Sequence, residues 1–157
     1  MKRTTWAAVA GAVVIVFVVG RNIAAAKEHS GVRRDVGCSA ATIGGDYGLL
    51  VQGTQALAEG GVESFNGVIL RSYDGNGNLT QVDNVKGSVS GWTPDRPGSG
   101  TYVVNADCTG STRFEPAPGI IVETRFIVVD DGNEIQQMTS IPQGFMVTGV
   151  QKRIHRQ

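Results

Sequence analysis

The chain predicts an all-β domain, an eight-stranded antiparallel up-and-down barrel, and three observations carry that prediction. From Asp46 to Ile154, short runs rich in Val, Ile, Thr, Phe and Tyr alternate with clusters of Gly, Asn, Asp and Pro, the pattern of consecutive strands joined by hairpins. The 22 glycines would weaken helices but suit turns at positive φ and sharp strand bends. A row of sequential strands with no covering helix leaves two open edges, which closing the first strand on the last removes. A two-sheet sandwich is the alternative, because strand spacing alone does not separate the two.

The first strand is expected over Asp46 to Thr54 and the second over Ser64 to Tyr73, with Gly60-Gly61 between them. Asp74-Gly75-Asn76-Gly77 turns the chain into the third, Asn78 to Val89. A loop from Gly91 to Gly98, carrying Trp92, Pro94 and Pro97, leads to the fourth, Ser99 to Ala106. There Tyr102 and Val104 alternate with Thr101 and Val103, the period of two expected of a strand with two different environments. Asp107-Cys108-Thr109-Gly110 reverses into the fifth, Ser111 to Glu115, and Pro116 to Gly119 ends it. The sixth, Ile120 to Asp130, is the most apolar. Asp131-Gly132-Asn133 and Pro142-Gln143-Gly144 introduce the seventh, Glu134 to Ile141, and the eighth, Phe145 to Ile154. Ser39 to Gly44 has room for one helical turn.

The ends carry a different message. Residues 1–26 read as a signal peptide: Lys2 and Arg3, an apolar run from Trp6 to Val19, then Ala24-Ala25-Ala26 in the small-x-small pattern that signal peptidase accepts. The apolar run is shorter than the roughly 20 residues of a spanning helix, so contact with a membrane is expected only during export. A disordered lead-in (27–37), one barrel domain (38–154) and a short tail (155–157) complete the organisation, and the product is expected in the periplasm or outside the cell. The signal holds three bases and no acid, so its removal leaves 131 residues with 11 basic against 14 acidic side chains. That mild imbalance steers the protein toward neither nucleic acid nor an anionic surface.

Cys38 and Cys108 are the two cysteines. In an oxidising compartment they favour a bond to each other, which would tie the start of the domain to the hairpin tip in its middle. The segments Cys38-Ser39-Ala40, Gly45-Asp46-Tyr47-Gly48, Asp74-Gly75-Asn76-Gly77-Asn78 and Gly100-Thr101-Tyr102 through Asp107-Cys108-Thr109-Gly110 together resemble a group of small exported bacterial proteins without an assigned activity. The resemblance covers about Cys38 to Arg153. It implies a lipocalin-like, calycin-type barrel and the Cys38 to Cys108 bond. A second likeness, of GDYGLLVQG to a strand of the allene oxide cyclase barrel, rests on that one segment.

Chemistry-bearing patterns are sparse. Asp74, Asn76 and Asn78 have the opening spacing of a calcium loop but lack its closing bidentate Glu, and the same residues serve a hairpin turn. No histidine lies between Cys38 and Ile154 to activate a nucleophile, and no metal or cofactor is expected. Glu123 and Arg125 share a face of the sixth strand and would make a polar site if they point inward. The competing arrangement turns Thr124, Phe126 and Val128 inward and leaves the charged pair solvated. Three functional readings follow. In the first, the barrel holds a small apolar molecule in its interior or at its open end, with Tyr47, Tyr102, Phe126 and Phe145 as lining candidates. In the second, a solid barrel works through surface loops, notably Gly91 to Gly98 with Trp92. The third is a cofactorless isomerase or cyclase using Glu123 and Arg125. The oligomeric state is not legible.

Overall fold

The computed structural model describes residues 37–155. The predicted signal peptide, the lead-in up to Val36 and the last two residues lie outside the described residues. Eight strands form one closed antiparallel barrel in sequence order: β1 (Gly45–Ala56), β2 (Val62–Tyr73), β3 (Asn78–Gly87), β4 (Gly91–Val104), β5 (Thr109–Ala117), β6 (Ile120–Val129), β7 (Glu134–Ile141) and β8 (Phe145–Arg153). Closure is made by β1 on β8, with Leu50 opposite Val150 and Gln52 opposite Thr148. No edge is left unpaired at that seam, so the sandwich alternative is set aside.

Burial alternates along the strands with a period of two, most cleanly in β2 and β3, because successive side chains leave opposite faces of a sheet. The inward series of β1 is Tyr47, Leu49 and Val51, and that of β6 is Val122, Thr124, Phe126 and Val128. Bulky inward rings need gaps in the wall opposite them. A Cβ on Gly110 would lie 2.2 Å from the Phe126 ring, so there glycine is what lets an aromatic ring fill the lumen, whereas one on Gly100 would lie 2.1 Å from Arg113 O, so there glycine admits the close approach of the β5 backbone.

The largest departure from expectation is the segment read as the Gly91 to Gly98 loop, which is the first half of β4. It pairs with β3, Trp92 opposite Lys86 and Pro97 opposite Val82, whereas pairing with β5 begins only at Ser99. Pro94 and Pro97 are tolerated because one side of this half-strand has no ladder to donate to. A register shift between Asp83 and Val85 and Asp95 at φ 48° bend it there. Trp92 stays exposed.

The two barrel ends differ. At one, a 3-10 turn, Ala40–Ile43, lies across the opening with Ile43 fully buried. Cys38 and Cys108 are joined, fastening this plug to the β4–β5 turn, and Cys38 N–H donates to Ala106 O. Tyr102 OH donates to Ala40 O at 3.0 Å, while Arg153 donates to Gly44 O, Thr42 O and Gly132 O. Tyr47 OH also donates to Gly132 O. Burial pushes the Tyr47 phenol up to about 12 against the opposing pull of the Arg153 guanidinium, which keeps it a donor. The other end, where β1 turns to β2, β3 to β4, β5 to β6 and β7 to β8, carries no such plug.

Candidate functional site

The unplugged end is a cup of about 310 Å³, at the lower edge of the roughly 300–1,000 Å³ typical of small-molecule sites. Its apolar wall includes Phe65, Val85, Ile120, Val122 and Phe145. Phe65 and Phe145 meet edge to face with centroids 4.9 Å apart, a favourable aromatic arrangement. Beneath the cup is a void of about 40 Å³ that shares Phe65, Val85, Val122 and Phe145 with it and is also lined by Arg71, Gln81, Asp83 and Gln137. Below that the interior is filled by a second apolar cluster built on Tyr47, Tyr73, Tyr102, Phe126 and Ile135.

The layer between cup and plug is polar, and sequence reading alone missed it. Arg71, fully buried, donates from Nε and Nη2 to Gln81 Oε1 at 3.0 and 2.6 Å and from Nη1 to Gln137 Oε1 at 3.1 Å. Its guanidinium lies 5.0 Å from the centroid of Phe114. Gln81 passes the chain on to Asp83 at 3.0 Å, and Asp83 is gripped in a fork by Arg96 at 2.9 and 3.2 Å. On the other side Gln151 donates to Gln137 and accepts from Tyr73. Among the described residues no buried side-chain nitrogen or oxygen lacks a partner, as burial of polar groups demands. The sequence did hold a signal: Arg71, Gln81, Asp83 and Gln151 stand at inward positions of their alternating strands. Charged residues are seldom buried, so their type argued against an interior reading that the alternation alone supports.

Glu63 sits at the rim and organises it. Its carboxylate accepts Val89 N–H at 2.7 Å and Ser90 N–H at 2.9 Å, and Gln55 also donates to it. The Ser90 N–H bond first, then Gln55 and Val89, hold its pKa down at about 2, against an ordinary 4.5. A depressed carboxyl stabilises the fold above its ordinary pKa and loses that contribution as pH falls through the folded value. Glu63→Gln is therefore expected to lower the urea midpoint at neutral pH. The gap to wild type should close as pH falls from about 4.5 toward 2; a gap that stays constant over that range would mean the charge does not hold the turn.

The residues singled out from sequence divide. Phe145 lines the cup. Tyr47, Tyr102 and Phe126 belong to the filled end, because the plug closes over them. Glu123 and Arg125 do not enter the lumen: Thr124, Phe126 and Val128 take the inward positions. Glu123 instead pairs with Arg113 on the outer wall, which is the second of the two arrangements that the sequence left open. Asp74 caps its own hairpin, accepting from Asn76 and Asn78, and among the described residues no group of His, Cys, Asp and Glu is arranged to hold a metal. A wider depression of about 430 Å³ lies between the outward side chains of Arg125, Ile127 and Met138. It opens on the outer face of β6 and β7, with Phe126 and Gln137 beneath it, whereas the cup is walled by strands all round and floored by buried charge. No helix among the described residues is long and apolar enough to cross a membrane.

No protein-family model matches the chain, and no curated protein matches it. Among solved structures it is similar to a redesigned beta barrel, mFAP1, bound to DFHBI, at 18% identity over 73% of this chain and 97% of that one, TM-score 0.45. It is also similar to the S-type phycobiliprotein lyase CPES from Guillardia theta, at 8% identity over 75% and 92%, TM-score 0.41. What the chain is, on its own geometry, is a disulfide-fastened eight-stranded barrel plugged at one end and hollowed at the other.

Proposed function

We propose that this chain is an exported, lipocalin-like barrel that binds a small, predominantly apolar molecule at its unplugged end. The observation that carries the reading is the cup of about 310 Å³ with aromatic and aliphatic walls, since apolar concavity with a few convergent polar groups is the usual form of a ligand site. Export is supported by the predicted signal peptide and by the joined cysteines, which persist in oxidising compartments. The filled lower barrel confines the ligand to the cup rather than to the whole lumen.

The test is titration of the oxidised protein with a neutral naphthylamine dye whose emission rises in apolar surroundings. A saturable rise, abolished by Phe145→Asp in a variant that keeps its β-sheet circular dichroism, is expected. Absence of any saturable rise, or a rise indifferent to Phe145→Asp, would remove the cup as the site and leave a solid barrel acting through its surface.

A further inference from the structure

Arg71 is a buried cation whose own shell holds no carboxylate. A guanidinium has five N–H donors, and three of Arg71's are taken, two by Gln81 and one by Gln137. The remaining two, one on each terminal nitrogen, have no protein acceptor among the described residues. The nearest acid in its network, Asp83, is reached only through Gln81 and is already clasped by Arg96. An unneutralised charge away from water is costly unless an acceptor reaches it. Arg71 borders the void of about 40 Å³ under the cup, space enough for a head group of two or three heavy atoms or a water. Arg96 lines the cup itself, so both guanidinium groups lie along one descent from rim to floor.

From this geometry we infer that the ligand is an amphiphile with an acidic head, which enters head first and places its carboxylate on the terminal N–H groups of Arg71 while its apolar tail fills the cup. The inference rests on the binding reading above and names the ligand class for the same site. A planar carboxylate matches two N–H donors presented by one guanidinium. Asp83 and the rim carboxylate of Glu63 are the acids that would repel it. Asp83 is compensated by Arg96, and Glu63 is turned to the backbone of the β3–β4 turn.

The experiment is calorimetric titration of the oxidised protein with octanoate, octanol and octylammonium, which share a tail and differ in the head. Octanoate is expected to bind at least about tenfold more tightly than octanol, the scale of a charge-assisted hydrogen bond, and octylammonium more weakly than either. Arg71→Met should erase the advantage of octanoate over octanol, and Arg96→Gln combined with Asp83→Asn, which removes the repelling acid together with its partner, should keep most of it. Since Arg71→Met also strips Gln81 and Gln137 of a donor and can prevent folding, a nuclear Overhauser contact in wild type between the terminal guanidinium protons of Arg71 and the octanoate protons next to the carboxyl carbon is the second readout. Equal binding of octanoate and octanol, or contact of Arg71 with the terminal methyl, overturns the acidic head and leaves the apolar cup standing. An advantage that survives Arg71→Met but vanishes in the Arg96→Gln, Asp83→Asn double variant moves the head to the rim and overturns the assignment to Arg71. No binding by any of the three overturns the cup reading and this inference with it.

Discussion

Replacing Cys38 and Cys108 together by alanine is expected to lower the unfolding free energy by roughly 4 kcal/mol, from the loop-entropy cost of a long closed loop. The bond closes a separation of 70 residues, so the reduced chain regains freedom in the unfolded state that the oxidised one lacks. In a domain of this size the change corresponds to a fall in Tm of about 10–20 °C, read by a thermal melt of wild type and variant. The bond also holds the Ala40–Ile43 plug over the filled end, aided by the Tyr102 and Arg153 hydrogen bonds to its carbonyls. The cup lies at the opposite end. At temperatures where the variant remains folded, its dye affinity should therefore match wild type. A loss below about 1 kcal/mol would mean that those carbonyl bonds, rather than the cross-link, secure the plug.

The second large effect separates two rings that sequence reading placed in one category. Phe126→Ala is expected to cost roughly 3–5 kcal/mol of stability, the range for deleting a buried aromatic, because the ring is almost wholly enclosed and packs against the gap left by Gly110. Ligand affinity in the surviving folded protein should be unchanged, since Phe126 belongs to the filled end. Phe145→Ala should do the reverse. Its ring is half-buried at the cup and meets Phe65 edge to face, so stability should fall less, while affinity for an apolar dye falls about tenfold, less than the full transfer free energy of a phenyl ring. Urea melts and dye titrations on the two variants decide the matter, and equal effects on both readouts would contradict the division of the barrel into a packed end and a receiving end.

How much of this was legible beforehand depends on the range of the interaction. Strand existence, the hairpin at Asp74–Asn78 and the inward run of Thr124, Phe126 and Val128 follow from a period of two and from local turn chemistry, both contained in a few neighbouring residues. The extent of β4 was not legible. Pro94 and Pro97 speak locally against a strand, and only the partner on one side, with none on the other, accommodates them. Arg71 and Gln137 were invisible for a related reason. They are 66 residues apart, and each alone looks like a solvated strand residue until the wall curves and brings them together.

By itself the sequence determined that this protein would be built of strands and would have one cross-link to make, because periodicity, turn residues and the number of thiols are properties of the chain. The closed tertiary structure decided which end is plugged, which rings are packing and which are wall, and that a cation would be buried with donors to spare. Those depend on curvature and register accumulated around eight strands, where each residue's environment is set by others far along the chain.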